Sequence, residues 1–320
     1  MRLDRFITLN LVQPFRRTLV TRYPSLVTPL PILMFHSISD DPEPGVRPYY
    51  RVCTGPGRFR EQMQWLKDNG YQGVALGAGL NLKSEVRSPK SVVRPVVLTF
   101  DDGFRDFYTH AFPILQQHGF SATMYLPTAF IGNSSCHSSP VTRYAFHDKE
   151  CLSWEEIQEL HRAGIEFGSH TVHHPKLDDL PWPDIQSEIG DSKAQIENQL
   201  GAPVKAFAYP YAFPQTNRDY VNRFKELLMA GGYETCATTQ IGRHRPGDDV
   251  LQIKRLPVNS GDDDKLFRAK LMGGYDWLAL PQKMVKEYKR RIPGIGKRNV
   301  GNARLPLPCE TAHKLPSSDF

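Results

Sequence analysis

Short runs of β-branched and aromatic residues recur along the chain, and between most of them lie longer stretches in which apolar positions return every three or four residues. The first pattern has the character of buried strands and the second that of helices with one covered face. Strands are expected at 32–35, 73–76, 96–100, 122–126, 165–167, 206–209, 235–239 and 253–256, with helices at 58–69, 105–118, 153–163, 183–200 and 218–230. Ser153 and Glu156 form a capping box at one helix start, and Gly164 supplies its stop. Gly70, Gly119 and Gly201 close three other helices the same way. Strands alternating with helical crossovers are parallel, and seven or eight of them in this order suit a closed or nearly closed α/β barrel.

At 320 residues the chain accommodates one barrel plus terminal additions. The expected layout is a basic N-terminal extension over 1–30, a catalytic barrel over 31–260, a helical appendage over 261–292 and a flexible tail over 293–320. Five scattered cysteines form no Cys-x-x-Cys pair and read as ordinary thiols. The first thirty residues lack the apolar core of a signal peptide, and no run of 18 apolar residues occurs, so a cytoplasmic protein is expected, with peripheral contact to the inner face of the membrane as an option. The net charge of +6 is concentrated toward the two ends. No aromatic-interleaved basic motif suggests a nucleic-acid partner.

The strand at 96–100 ends in Asp101-Asp102-Gly103. Two adjacent carboxylates at the buried end of a strand repel each other and lose hydration, a cost that persists where a metal or a proton transfer uses them. Another strand end leads into His170-Thr171-Val172-His173-His174-Pro175. Imidazoles four residues apart can reach one ion, and a carboxylate completes a catalytic metal site with open positions. His173 points elsewhere on this reading, and His110, His118 and His161 read as helix-surface residues. In a barrel, active residues gather at the C-terminal ends of the strands, where Asp101, Asp102, His170, His36 and Tyr209-Pro210-Tyr211 all fall.

Thr99-Phe100-Asp101-Asp102-Gly103, the His170–Pro175 run and Phe207-Ala208-Tyr209-Pro210-Tyr211 resemble the first three motifs of the polysaccharide deacetylase (NodB-homology) family, carbohydrate esterase family 4. Ile32-Leu33-Met34-Phe35-His36 resembles the opening strand of its exopolysaccharide-type members, and the resemblance spans about residues 31–258. It implies a distorted (β/α)7 barrel that removes acetyl groups from N-acetylhexosamine units of a poly- or oligosaccharide or a lipid-linked glycan. It also implies Asp101 as general base, Asp102, His170 and His174 as ligands of a divalent metal, and the backbone N–H of Tyr211 as an oxyanion donor. Zinc is the first choice of metal, with cobalt, nickel and iron open.

Two departures matter. Many members carry Arg-Pro-Pro-Tyr-Gly where this chain has Ala208-Tyr209-Pro210-Tyr211-Ala212, so the arginine that steadies the base is missing there, and Arg255 is the candidate substitute. The late Leu-x-His motif that supplies the general acid has no match, which leaves His36 as the candidate acid. Phe104, Tyr209, Tyr211 and Phe213 are expected to form an aromatic wall for a sugar ring, and residues 131–148 a rim loop. The rival readings are a hydrolase of small cyclic amides or imides on the same barrel and a non-catalytic carbohydrate-binding relative. The acceptor and the oligomeric state are not encoded in these motifs.

Overall fold

The computed structural model describes residues 2–15, 29–85, 94–132, 149–212 and 214–291. Its eight strands are β1 (Ile32–Phe35), β2 (Tyr71–Val74), β3 (Arg94–Phe100), β4 (Thr123–Leu126), β5 (Glu166–Ser169), β6 (Ala206–Ala208), β7 (Thr235–Ile241) and β8 (Ile253–Pro257). All neighbours pair in parallel. β1 pairs with β8 on one edge and with β3 on the other, so seven strands close a ring. β2 stands outside it, pairing with Arg94 to Val97 of β3 before β4 takes over the same edge at Thr99. The fold is the closed α/β barrel that the strand pattern predicts, in the distorted (β/α)7 form that the family resemblance implies.

Strand alternation sorts the side chains. Outward residues such as Leu33, Phe35, Val96, Leu98, Phe100, Phe167, Phe207 and Leu256 join the helices in one large apolar layer. Inward residues Ile32, Val97, Tyr125, Ala206, Ala208, Ala237 and Ile253 form a second, smaller cluster with Leu30 and Leu76. The small inward residues leave room for Tyr125. At Gly168 a Cβ would meet the Tyr125 ring at 2.6 Å, so only glycine fits opposite that ring. Below the rim, Phe35 stacks on Phe100 with ring centroids 5.2 Å apart, and Phe59 and Phe107 pack edge-on at 5.3 and 4.7 Å. These rings lock the helices Pro56–Asp68 and Phe112–His118, with the wide π turn Phe107–Ala111 ahead of the latter, against the strand ends that lead to His36 and Asp101.

The structure corrects several boundaries. The strand expected at 73–76 lies two residues earlier, and Leu76–Glu85 is an unpredicted helix. Its start is held by distant groups: the Leu76 N–H donates to Thr123 Oγ1 at 2.8 Å and the Gly77 N–H to Glu166 Oε2 at 2.9 Å. The C-terminal appendage is helical, and Gly273, at φ +79°, divides it into Asp264–Leu271, a short turn at Asp276–Leu278, and Ala279–Arg291. The described part of the N-terminal extension packs on the rest of the protein. Helix Leu3–Ile7 and its continuation Thr8–Val12 pack on the appendage, with the Tyr275 hydroxyl donating to Asp4 (2.6 Å), Trp277 Nε1 to Thr8 (3.0 Å) and Arg2 to Asp262 (3.1 Å). Lys270, buried beside Asp262 at 2.5 Å, donates to the last carbonyl of β8 and ties this unit to the barrel. His118, expected on a helix surface, is buried against Phe120. The expected tail, most of the rim loop and Phe213 lie outside the described residues.

Candidate active site

Alternation along β3 turns Val97, Thr99 and Asp101 inward and would send Asp102 outward. Asp102 instead takes φ +76°, which brings both carboxylates to one mouth. Thr171, His174 and Tyr211 also have positive φ, at 70, 55 and 58°. Four of the five non-glycine residues with positive φ among those described thus lie in the motifs of this site, and such backbone costs persist where surrounding structure enforces them. In the histidine turn the enforcement is visible. The His174 N–H donates to Thr171 Oγ1 at 3.0 Å, and from outside Glu188 Oε2 accepts from the N–H groups of Val172 (2.8 Å) and His173 (2.9 Å). His173 itself turns away to Glu188 Oε1 at 2.7 Å.

His170 and His174 direct Nε2 at Asp102 Oδ1 from 3.5 and 3.2 Å. His170 Nδ1 lies 2.6 Å from the Ala208 carbonyl, which can only accept, so that nitrogen carries the proton and Nε2 offers a lone pair to the site when the ring is neutral. Burial holds the His174 pKa below the ordinary histidine value against the pull of Asp102. The Asp102 carboxyl, despite burial, is kept far below the usual range by the two imidazoles, so it stays ionised. Its Oδ1 is buried and takes no aligned hydrogen bond from any described residue. When both rings are neutral with Nε2 unprotonated, their lone pairs and the ionised oxygen converge on one point and repel unless a cation lies between them. One donor atom from each of the three residues falls within 4.8 Å of the others, and this N, N, O set with its carbonyl-anchored histidine fits a divalent metal.

Asp101 faces the same mouth from a different frame. Arg255, fully buried on β8, grips it at both oxygens, at 2.6 and 2.8 Å. The guanidinium is braced by the Thr238 carbonyl (3.0 Å) and Thr99 Oγ1 (3.2 Å), and it lies 5.7 Å from the Tyr125 ring centroid. Burial works to raise the Asp101 pKa, but Arg255 outweighs it and holds the carboxyl below its ordinary value. His36 Nε2 stands 3.9 Å from Asp101 Oδ2 at the partly open entrance. Its strand end is fixed by Asp106, which accepts from Ser37 Oγ and from the Ile38 N–H at 3.0 Å.

The aromatic wall is corrected. Tyr209 continues the outward alternation of β6 and is buried against Phe224, and Phe104 is likewise core. Tyr209 therefore does not face the mouth. Tyr211 does, packed edge-on to His174 at 4.8 Å and substantially exposed. Thr99 and Glu188 were not foreseen. Thr99 shares the inward face with Asp101, a period-two signal that could have found it, whereas nothing in the sequence links Glu188 to a turn fifteen residues earlier.

The family model for polysaccharide deacetylases matches residues 89–230. A Bacillus subtilis protein named "Putative polysaccharide deacetylase YxkH" is 30% identical over 244 residues, covering 75% of each chain. The poly-β-1,6-N-acetyl-D-glucosamine N-deacetylase of Staphylococcus epidermidis is 26% identical over 219 residues, 66% of this chain and 69% of that one. Among solved structures, the Streptococcus pyogenes deacetylase PplD in complex with acetate aligns with a TM-score of 0.60 and 26% identity, over 77% of this chain and 99% of that one.

Proposed function

This chain belongs to the polysaccharide deacetylase family and is a hydrolase of non-peptide carbon–nitrogen bonds, and from that premise we propose that it removes acetyl groups from N-acetylhexosamine units of a glycan in a metal-dependent reaction. The observation that carries the reading is the pairing of two differently built carboxylates at one mouth: Asp102 converging with two histidines, and Asp101 clamped by Arg255.

Asp102, His170 and His174 would hold the metal, which when bound acidifies water and polarises a carbonyl. Asp101, ionised and fixed in direction by Arg255, accepts a proton from the attacking water at a carboxylate oxygen. The hydroxyl adds to the acetamide carbon, and the backbone N–H of Tyr211 donates to the oxygen that gains charge. The carbon–nitrogen bond then breaks, acetate leaves, and His36 donates a proton from Nε2 to the departing amine. His36 suits this task because it sits at the open side of Asp101, where a sugar nitrogen can approach. Tyr211, exposed beside the ligands, supplies an apolar ring for the sugar face.

The test is acetate release from N-acetylglucosamine oligomers by protein stripped of metal and resupplied with zinc, cobalt, nickel or iron. Acetate that appears only with metal supports the reading. Metal bound without acetate from any glycan, together with turnover of a small cyclic amide, would replace it.

A further inference from the structure

The terminal unit leaves a row of apolar side chains facing water. In Ala279–Arg291 the side chains of Leu280, Met284 and Tyr288 are spaced by four and are 63 to 72% exposed, with Val285 beside them. The same helix is held to the barrel by a polar group: Gln282 accepts from the Ile241 N–H and donates to the Thr239 carbonyl, both at 3.0 Å. The adjoining N-terminal segment repeats the arrangement. Asp4, Thr8 and Gln13 turn inward to Tyr275, Trp277 and Ala269, while Leu3, Leu11 and Phe15 are 61 to 68% exposed. A helix on a soluble domain normally buries its apolar stripe and shows its polar one to water. Two segments joined through Trp277 and Thr8 instead turn polar anchors inward and leave apolar side chains in the open.

We propose that this face docks on the surface of an anionic lipid bilayer. Charge selects that occupant. Residues 279–291 contain Lys283, Lys286, Lys289, Arg290 and Arg291 against a single acid, Glu287. A second copy of the chain would bring this basic helix against its own like charge, whereas an anionic membrane neutralises it and accepts the apolar side chains between its headgroups. No described helix is long and apolar enough to cross a membrane, so the contact lies at the interface. The helix also sits beside the catalytic mouth. Gln282 holds the Thr239 carbonyl, and the Thr239 hydroxyl donates to the Tyr211 carbonyl at 2.9 Å, so docking sets the entrance next to the bilayer. The docking does not depend on which reaction the site performs.

The experiment is sedimentation of the full chain with vesicles of phosphatidylcholine alone or with about a third phosphatidylglycerol, at low and high salt. Binding is expected on the anionic vesicles and should weaken with salt. Leu280→Glu with Met284→Glu should reduce the partition coefficient by about tenfold or more, and Lys283→Gln by about fivefold. Leu3→Glu with Phe15→Glu tests the second segment independently. All these side chains are exposed, so circular dichroism and turnover of a soluble oligosaccharide should be unchanged. The proposal falls if the wild type stays in the supernatant, or if both double variants bind as well as it does. It falls equally if analytical ultracentrifugation finds a dimer that the Leu280/Met284 variant dissolves, which would make this face an interface between copies.

Discussion

Arg255 makes four hydrogen bonds to acceptors inside the barrel, and two of those bonds run to one carboxylate. Such a pair gains little over an apolar filler when intact, but removing one partner strands a buried charge. Arg255→Met should therefore destabilise the fold by about 3–5 kcal/mol, read from denaturant midpoints, and should cut turnover as well. A loss below about 1 kcal/mol would mean that Asp101 finds another partner and that the clamp is dispensable. Asp101→Asn asks a different question. Asn has nearly the same shape, and Asp101 is not among the three converging donors, so bound metal should be retained while turnover falls by about 10²–10⁴. A variant that stays active would remove Asp101 from the role of base. At this scale the sequence was informative wherever chemistry is expensive, as in the adjacent aspartates. It misled at Tyr209, because a tyrosine in a recognisable motif invites a binding role, while the alternation through Phe207 already pointed it outward.

Elements were legible to the extent that their own residues determine them. The capping box of Ser153 and Glu156 forms as the spacing predicts, and Gly119 and Gly201 end their helices at φ +64 and +63°. Helix Leu76–Glu85 was invisible because its first N–H groups are satisfied by Thr123 and Glu166, residues of β4 and β5. The N-terminal segment is another case, since its polar anchors find partners some 260 residues away. That docking should depend on pH. Burial works to raise the Asp4 pKa, but its bonds to Arg2 and Tyr275 outweigh this and lower it, so Asp4 is more acidic folded than unfolded. A depressed carboxyl contributes stability above its unfolded pKa of about 3.9, and that stability is lost as pH falls through the folded value. Hydrogen-exchange protection of Leu3–Ile7 should hold at neutral pH and decline below about pH 4, before the barrel strands lose theirs. Protection that persists undiminished in acid would show that the apolar contacts alone hold the segment.

For the whole molecule, the ring closure and the site are linked. The donors come from the turn after β3 and the turn after β5, and the clamp on Asp101 comes from β8, so the constellation exists only when β1 closes the ring between β3 and β8. The unfolded chain holds no such site. An ion that binds only the folded state stabilises it by mass action, about 2.7 kcal/mol at a hundredfold excess over its dissociation constant. For a barrel of this size each kcal/mol raises the melting temperature by about 2–4 °C, so metal should lift Tm by several degrees and a chelator should reverse the shift. The comparison that gives this force uses neighbouring residues. Asp102→Asn alters one of the three converging donors and should abolish the metal-dependent shift, whereas Asp101→Asn should keep it although its turnover is lost. If both variants respond to metal alike, or if the wild type does not respond, the ion does not reside among Asp102, His170 and His174, and the division of labour between the two carboxylates has to be redrawn.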